Sequence, residues 1–374
     1  MLFIFLALII IIFGLVLDKY QLSPIVLPIL FLNTATTSTT STTSTTATTT
    51  TTTAAIIFRP YPLTNQDCKS YDFKRLRRPN MSHVTLPIYD YFIFHDELDT
   101  LEIRLYELYN YVTLFLIAES QTTLTGKSKP LYLKENWQKF EKYHDKMRRI
   151  EVELDEDPRG QWTNEIKMRR DGLLLALKNQ TQDILLLTSD VDEIPKAHFL
   201  YLLNACELPK PFPSLVLVCA YYYYSFEFRR QGGAIDGPTV SFLAGNRTNR
   251  TTSPDGKYVR DERFSYQPMP SACYHCSWCF DRINLTRSKL ASFSHSELNR
   301  AEYHTQEHII DRYRHGKDLF NRPSEIYIRI ENNDEIPELI KAQPERFSYL
   351  INRAALVNAG FRDVTQTNSS EKQR

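Results

Sequence analysis

The sequence predicts an α/β fold built on a mostly parallel sheet, and three observations carry that prediction. Strand-length apolar runs occur at 89–94 (YDYFIF), 112–118 (VTLFLIA) and 184–187 (ILLL). The segments between them switch to helical periodicity. Strand and helix then alternate at the spacing of βαβ units, which join parallel strands. The 374 residues are 42% hydrophobic and 12% aromatic, enough for a substantial core, and only 11 are glycine, against a glycine-rich barrel. No fixed-period repeat occurs.

In chain order, Leu2 to Leu17 is unbroken apolar sequence, followed by Asp18-Lys19-Tyr20 and a second apolar patch at Pro24 to Leu32. Sixteen helical residues reach about 24 Å, and extension through Tyr20 brings the run near the lower limit for a membrane span. A basic leader and a small-x-small cleavage site are both missing, which favours an uncleaved signal anchor over a cleaved signal peptide. Thr34 to Ala55 contains only Thr, Ser and Ala, with no apolar face to offset the entropy of ordering, and reads as a disordered, O-glycan-accepting stem. Six Asn-x-Ser/Thr sequons (Asn80, Asn179, Asn246, Asn249, Asn284, Asn368) and an even count of six Cys suit an oxidising lumen. The domain organisation is therefore an anchor at 1–32, a stem and lead-in at 33–80, a catalytic-type domain at 81–362 and a polar tail at 363–374.

Pro60 to Pro87 is an irregular lead-in, and order begins at Ile88. A strand at Tyr89 to Phe94 precedes a helix at Asp96 to Asn110, with Leu98, Leu101, Leu105 and Leu108 on one face. Val112 to Ala118 and Ile150 to Leu154 are strands. Asn164 to Lys178 is a helix presenting Ile166, Leu173, Leu174 and Leu177. Ile184 to Leu187 is a buried strand, Leu215 to Tyr224 a longer one, and Ala301 to His315 a helix capped by Gly316. With 45 Lys+Arg against 44 Asp+Glu, the net charge of +1 argues against a nucleic-acid binder.

The sharpest motif is Ser189-Asp190-Val-Asp192-Glu193-Ile-Pro195, just past four consecutive aliphatics. Carboxylates at i and i+2 on extended backbone point to one side, at the carboxyl end of a strand where open α/β sheets bind ligands. Two hard oxygen donors there suit Mg²⁺ or Mn²⁺ completed by water and phosphate oxygens; loop-capping carboxylates are the other reading. Asp155-Glu156-Asp157 repeats the pattern in a charged, solvated loop. Cys273-Tyr-His275-Cys276-Ser-Trp278-Cys279 is too tight for a zinc site and reads as disulfide bonding of Cys276 and Cys279, to each other or elsewhere. His275 and Trp278 can line a sugar site. His304 and His308 lack the zincin glutamate, and neither GxSxG, Walker A nor GxGxxG occurs.

Four ordered motifs resemble glycosyltransferase family 17, the β-1,4-mannosyl-glycoprotein 4-β-N-acetylglucosaminyltransferases. They are the run His95 to Arg104 (HDELDTLEIR), Ala118-Glu119-Ser120 with Gly126 and Lys129-Pro130, Ser189 to Pro195, and His275 to Phe280; Phe293 to Leu298 (FSHSEL) and Gly316 to Phe320 extend the likeness. The resemblance implies a GT-A-type nucleotide-sugar domain, UDP-GlcNAc as donor, a glycan or glycoprotein mannose as acceptor, and inversion. It implies a divalent cation, Mn²⁺ or Mg²⁺, at Asp190 and Asp192, with His295 as a further contact. Asp96, Glu97, Glu119, Asp190, Trp278 and His275 are the implied donor-binding residues, and Glu297 or Asp236 the base. A type II Golgi membrane protein with a luminal catalytic domain follows from the same resemblance. Arg229 to Gln267 is where acceptor recognition is expected to diverge.

Overall fold

The computed structural model describes residues 63–76, 85–245 and 263–364. The anchor at 1–32, most of the stem, the sequons at Asn80, Asn246, Asn249 and Asn368, and most of the polar tail lie outside the described residues. Among the described residues, no helix is long and apolar enough to cross a membrane.

The chain enters the sheet at β1 (Ile88–Ile93), crosses by α1 (Leu98–Leu108) to β2 (Leu114–Glu119), and reaches β3 (Met147–Glu151). Helix α2 (Thr163–Ala176) then carries it back to β4 (Ile184–Asp190), which lies on the other side of β1. These strands stand in the order β3-β2-β1-β4, all parallel. Winding thus reverses between β1 and β4, so a crevice opens outside the carboxyl ends of those two strands.

Beyond β4 come β5 (Glu193–Pro195), α3 (Ala197–Ala205), β6 (Leu215–Tyr223), β7 (Ser225–Leu243) and β8 (Gln267–Ser277). Helices α4 (Ile283–Ser292) and α5 (Gln306–His315) and the short β9 (Tyr327–Arg329) follow. The sheet continues β4-β7-β6-β8-β5, with β9 on β7. β6 and β8 are a further parallel pair, and β7 joins β4, β6 and β9 antiparallel.

Side chains alternate across the sheet, so each strand feeds two cores. Phe92, Phe115, Ile117, Leu185 and Leu187 pack with Leu101, Leu105 and Leu108 of α1 and Phe199 of α3. Tyr91, Leu116, Ala118, Ile150 and Leu186 face Met168 and Leu173 of α2 on the opposite side.

Three local expectations change. In α2, Ile166 and Leu174 are 50% and 43% exposed, whereas Met168, Gly172, Leu173 and Ala176 are buried. A Cβ at Gly172 would collide with the Tyr91 hydroxyl, which donates to the Met168 carbonyl, so the helix seats on its smallest residue. The helix expected from Ala301 breaks at Thr305, whose extended backbone lets its hydroxyl accept from the His308 N–H and start α5 afresh. Gly316 does end α5, at φ +61°. Thirdly, the part of the expected acceptor-divergent segment from Arg229 to Leu243 belongs to the central strand β7.

All six cysteines are paired. Cys68–Cys206 ties the lead-in to the end of α3, Cys219–Cys273 links β6 to β8, and Cys276 joins Cys279. A Cβ at Gly237 of β7 would strike Cys219 Sγ, so the strand crosses this disulfide only as glycine.

Candidate functional site

A cavity of about 410 Å³ occupies the crevice at the switch point. Its walls come from the strand ends: His95 and Glu97 after β1, Ser120 and Thr122 to Leu124 after β2, Asp190 to Asp192 at the end of β4, Tyr221 and Tyr223 of β6, and His275, Ser277 and Trp278 at the end of β8. Lys289 and Ser292 of α4, with Phe293, His295 and Leu298 after it, close it.

The Asp190–Glu193 turn is held from beneath by one buried arginine. Arg104 of α1 is 0% exposed and sits on the helix face that packs against the sheet. Its guanidinium donates to both carboxylate oxygens of buried Asp90 on β1 (2.6 and 2.9 Å) and to Ser189 Oγ (2.6 Å). It also donates to the carbonyls of Asp190 (3.1 Å) and Glu193 (2.7 Å). Burial pushes the Asp90 carboxyl up, against the pull of Arg104. Glu193 turns inward and accepts the Asp190 N–H at 3.0 Å, which makes it a brace of the turn.

The two motif aspartates both face the cavity, and each meets a cation. Asp190 Oδ1 lies 2.7 Å from Arg169 of α2, and Asp192 Oδ2 lies 3.2 Å from Lys289 Nζ. Lys289 also reaches Glu97 Oε1 at 3.7 Å and lies over the Trp278 ring. Burial alone would lower the Lys289 pKa; the Asp192 and Glu97 carboxylates more than reverse this and raise it. Glu97 accepts the backbone N–H of His95 and Asp96. His275 Nε2 is 3.8 Å from Asp192 Oδ1.

Beside this cluster, burial pushes the Asp96 carboxyl up to about 7, with Glu97 adding to it, while Oδ2 accepts from Ser288 at 2.9 Å. Burial likewise takes the His95 imidazole down to about 3, helped by Lys129 and Lys289. His295 lines the cavity at its rim, bonded to Glu297 at 2.8 Å, and among the described residues it forms no metal-holding cluster with Asp190 and Asp192, unlike the metal contact expected of it.

Of the residues expected from the sequence, Glu97, Asp190, Asp192, His275, Trp278 and His295 therefore share one cavity. Asp96 stands behind its wall. Glu119 is fully buried and accepts the backbone N–H of Leu133 and Lys134 and a bond from Arg149, so it anchors a loop. Asp236 lies in β7 opposite Val218 of β6, and neither it nor Glu297 lines the cavity. Sequence reasoning missed Arg104, Arg169 and Lys289. Only Arg104 had a signal, as a lone charge in the Leu101/Leu105/Leu108 stripe.

Asp190 and Asp192 fit a hard divalent cation by donor chemistry, two carboxylates on one wall of a single cavity. Among the described residues, no three His, Cys, Asp or Glu side chains cluster closely enough to hold a metal unaided. The set suits an ion that arrives with a ligand supplying the remaining oxygens.

An open α/β sheet with its ligand cavity at the topological switch point, walled by paired carboxylates, half-buried cations and aromatic rings, has the makings of an enzyme for a phosphorylated, ring-bearing substrate. The family model of glycosyltransferase family 17 matches residues 2–352, and the chain belongs to that family. It is a glycosyltransferase. No curated protein sequence matches it. Among solved structures it is similar to the mannosyltransferase PcManGT from Pyrobaculum calidifontis in complex with GDP-Man and Mn²⁺, with 11% identity over 79% of this chain and 78% of that chain and a TM-score of 0.31.

Proposed function

We propose that this glycosyltransferase moves N-acetylglucosamine from UDP-GlcNAc to a mannose hydroxyl of a glycan, with inversion at the anomeric carbon. The donor and linkage follow the family resemblance; the observation supporting transfer at this cavity is the Arg104-clasped turn that presents Asp190 and Asp192 to it. The nucleoside lies toward the β1 and β2 ends. The diphosphate lies against Lys289 and Arg169, whose positive charge is fixed before the substrate arrives and needs no reorganisation. Trp278, Phe293 and Phe320, packed edge-on or stacked, offer apolar faces to sugar rings. Asp190 and Asp192 would hold a Mn²⁺ or Mg²⁺ ion, which would add to the neutralisation of the departing diphosphate.

The segment 1–32 serves as a signal anchor and the Thr/Ser tract as a stem, with the domain in the Golgi lumen; three disulfides suit that compartment. The test is UDP release by the full-length chain across a panel of UDP-sugars, with Mn²⁺ or EDTA. Selective, metal-dependent turnover of UDP-GlcNAc is expected, and absence of turnover with every donor would overturn the reading.

A further inference from the structure

We infer that the base which deprotonates the acceptor hydroxyl is His295, oriented by Glu297 as a positioning residue. This deepens the proposed transfer reaction and rests on it. His295 Nδ1 is bonded to Glu297 Oε1 at 2.8 Å, and Glu297 Oε2 accepts from Gln161 Nε2 at 2.5 Å. A carboxylate only accepts, so Nδ1 is the donor to Glu297 and Nε2 is the ring nitrogen left to take a proton. The Trp162 ring holds the imidazole edge-on, with centroids 4.9 Å apart at 88°. No other group among the described residues hydrogen-bonds the ring.

The cavity's other candidates are committed elsewhere. Asp190 and Glu165 meet Arg169, Asp192 and Glu97 meet Lys289, His95 Nε2 lies between the Ser288 and Ser292 hydroxyls, and Glu193 caps the turn. A carboxylate held by a cation is a poor proton acceptor. His275 is next to Asp192, on the side of the leaving group, and its side chain is 13% exposed against 51% for His295. A hydroxyl on a large glycan reaches the cavity from its open rim, where His295 stands and where Trp162, 42% exposed, offers a face for the acceptor sugar. In the step itself the acceptor oxygen forms a bond to the anomeric carbon. The bond from that carbon to the diphosphate oxygen breaks, its electron pair leaving with the nucleoside diphosphate. The hydroxyl proton passes to His295 Nε2.

The experiment uses the full-length chain with UDP-GlcNAc and a mannose-terminated glycan. His295→Ala is expected to lower kcat by about 10²- to 10⁴-fold with donor KM and Mn²⁺ affinity unchanged, and added imidazole is expected to restore part of the loss. Glu297→Gln should lower kcat by about tenfold or more, again at unchanged KM, because the ring loses its orientation. The inference is overturned if His295→Ala keeps kcat within about threefold, if imidazole does not rescue, or if the variant's defect is weaker Mn²⁺ binding. Wild-type protein inactive on every donor would instead overturn the transfer reaction itself.

Discussion

Replacing Arg104 with Met removes five hydrogen bonds from a residue with no solvent exposure and leaves Asp90, also 0% exposed, as an unpaired buried carboxylate. Breaking a buried pair from one side costs about 3–5 kcal/mol. At roughly 2–3 °C per kcal/mol for a domain of this size, the melting temperature should fall by about 6–15 °C. The second variant, Asp90→Leu with Arg104→Met, separates two roles. With both charges gone no buried ion is stranded, so most of the stability returns. The carbonyls of Asp190 and Glu193 still lack their clasp, so the turn stays unset, and UDP affinity should remain at least about tenfold weak, a deficit of about 1.4 kcal/mol. Thermal unfolding and calorimetric UDP titration read the two effects separately. An Arg104→Met melting temperature within about 2 °C of wild type, less than one kcal/mol at that scale, would refute the first role. A double variant that regained both stability and UDP affinity would refute the second.

Lys289→Met should weaken UDP binding by about tenfold to a hundredfold, since a charged hydrogen bond contributes roughly 1.5–3 kcal/mol and Asp192 and Glu97 are left facing the diphosphate; unchanged affinity in a calorimetric titration would contradict this. Glu107 on α1 accepts the Glu338 and Ala197 N–H groups, and burial raises its carboxyl to about 7. A raised carboxyl means the folded state holds a proton the unfolded chain has released, so this contribution to stability is present below about pH 4.5 and lost as pH rises toward 7. Glu107→Gln should therefore gain stability over wild type at pH 8, by up to about 3 kcal/mol, and not at pH 4; denaturant unfolding at both values checks it.

Strand β1, helix α1 and strands β2 and β4 were legible because each buries a periodic apolar face, and periodicity reports burial directly. The Asp190/Asp192 pair was legible for the same reason, since the ILLL strand sets where the turn emerges. Helix α2 shows the limit. Its buried face is set by Gly172 against Tyr91, and a glycine adds nothing to an apolar count. Strand β7 was obscured by Arg229, Arg230 and Gln231 and by its glycines, since it owes its place to β4 and β6 on either side. Lys289 gave no warning either, because its charge is balanced by residues nearly 100 and 200 positions earlier, Asp192 and Glu97. Glu119 and Asp236 entered the site through the family likeness, whereas the fold buries Glu119 against the Leu133 and Lys134 N–H groups and sets Asp236 within β7, so neither lines the cavity.

The most direct measurement is calorimetric titration of the full-length chain with UDP and Mn²⁺ together, beside Asp192→Asn and Asp90→Leu/Arg104→Met. The account predicts Mn²⁺-dependent UDP binding in the wild type, at least about tenfold weaker in both variants. UDP binding that ignores Mn²⁺ and survives both changes would contradict it.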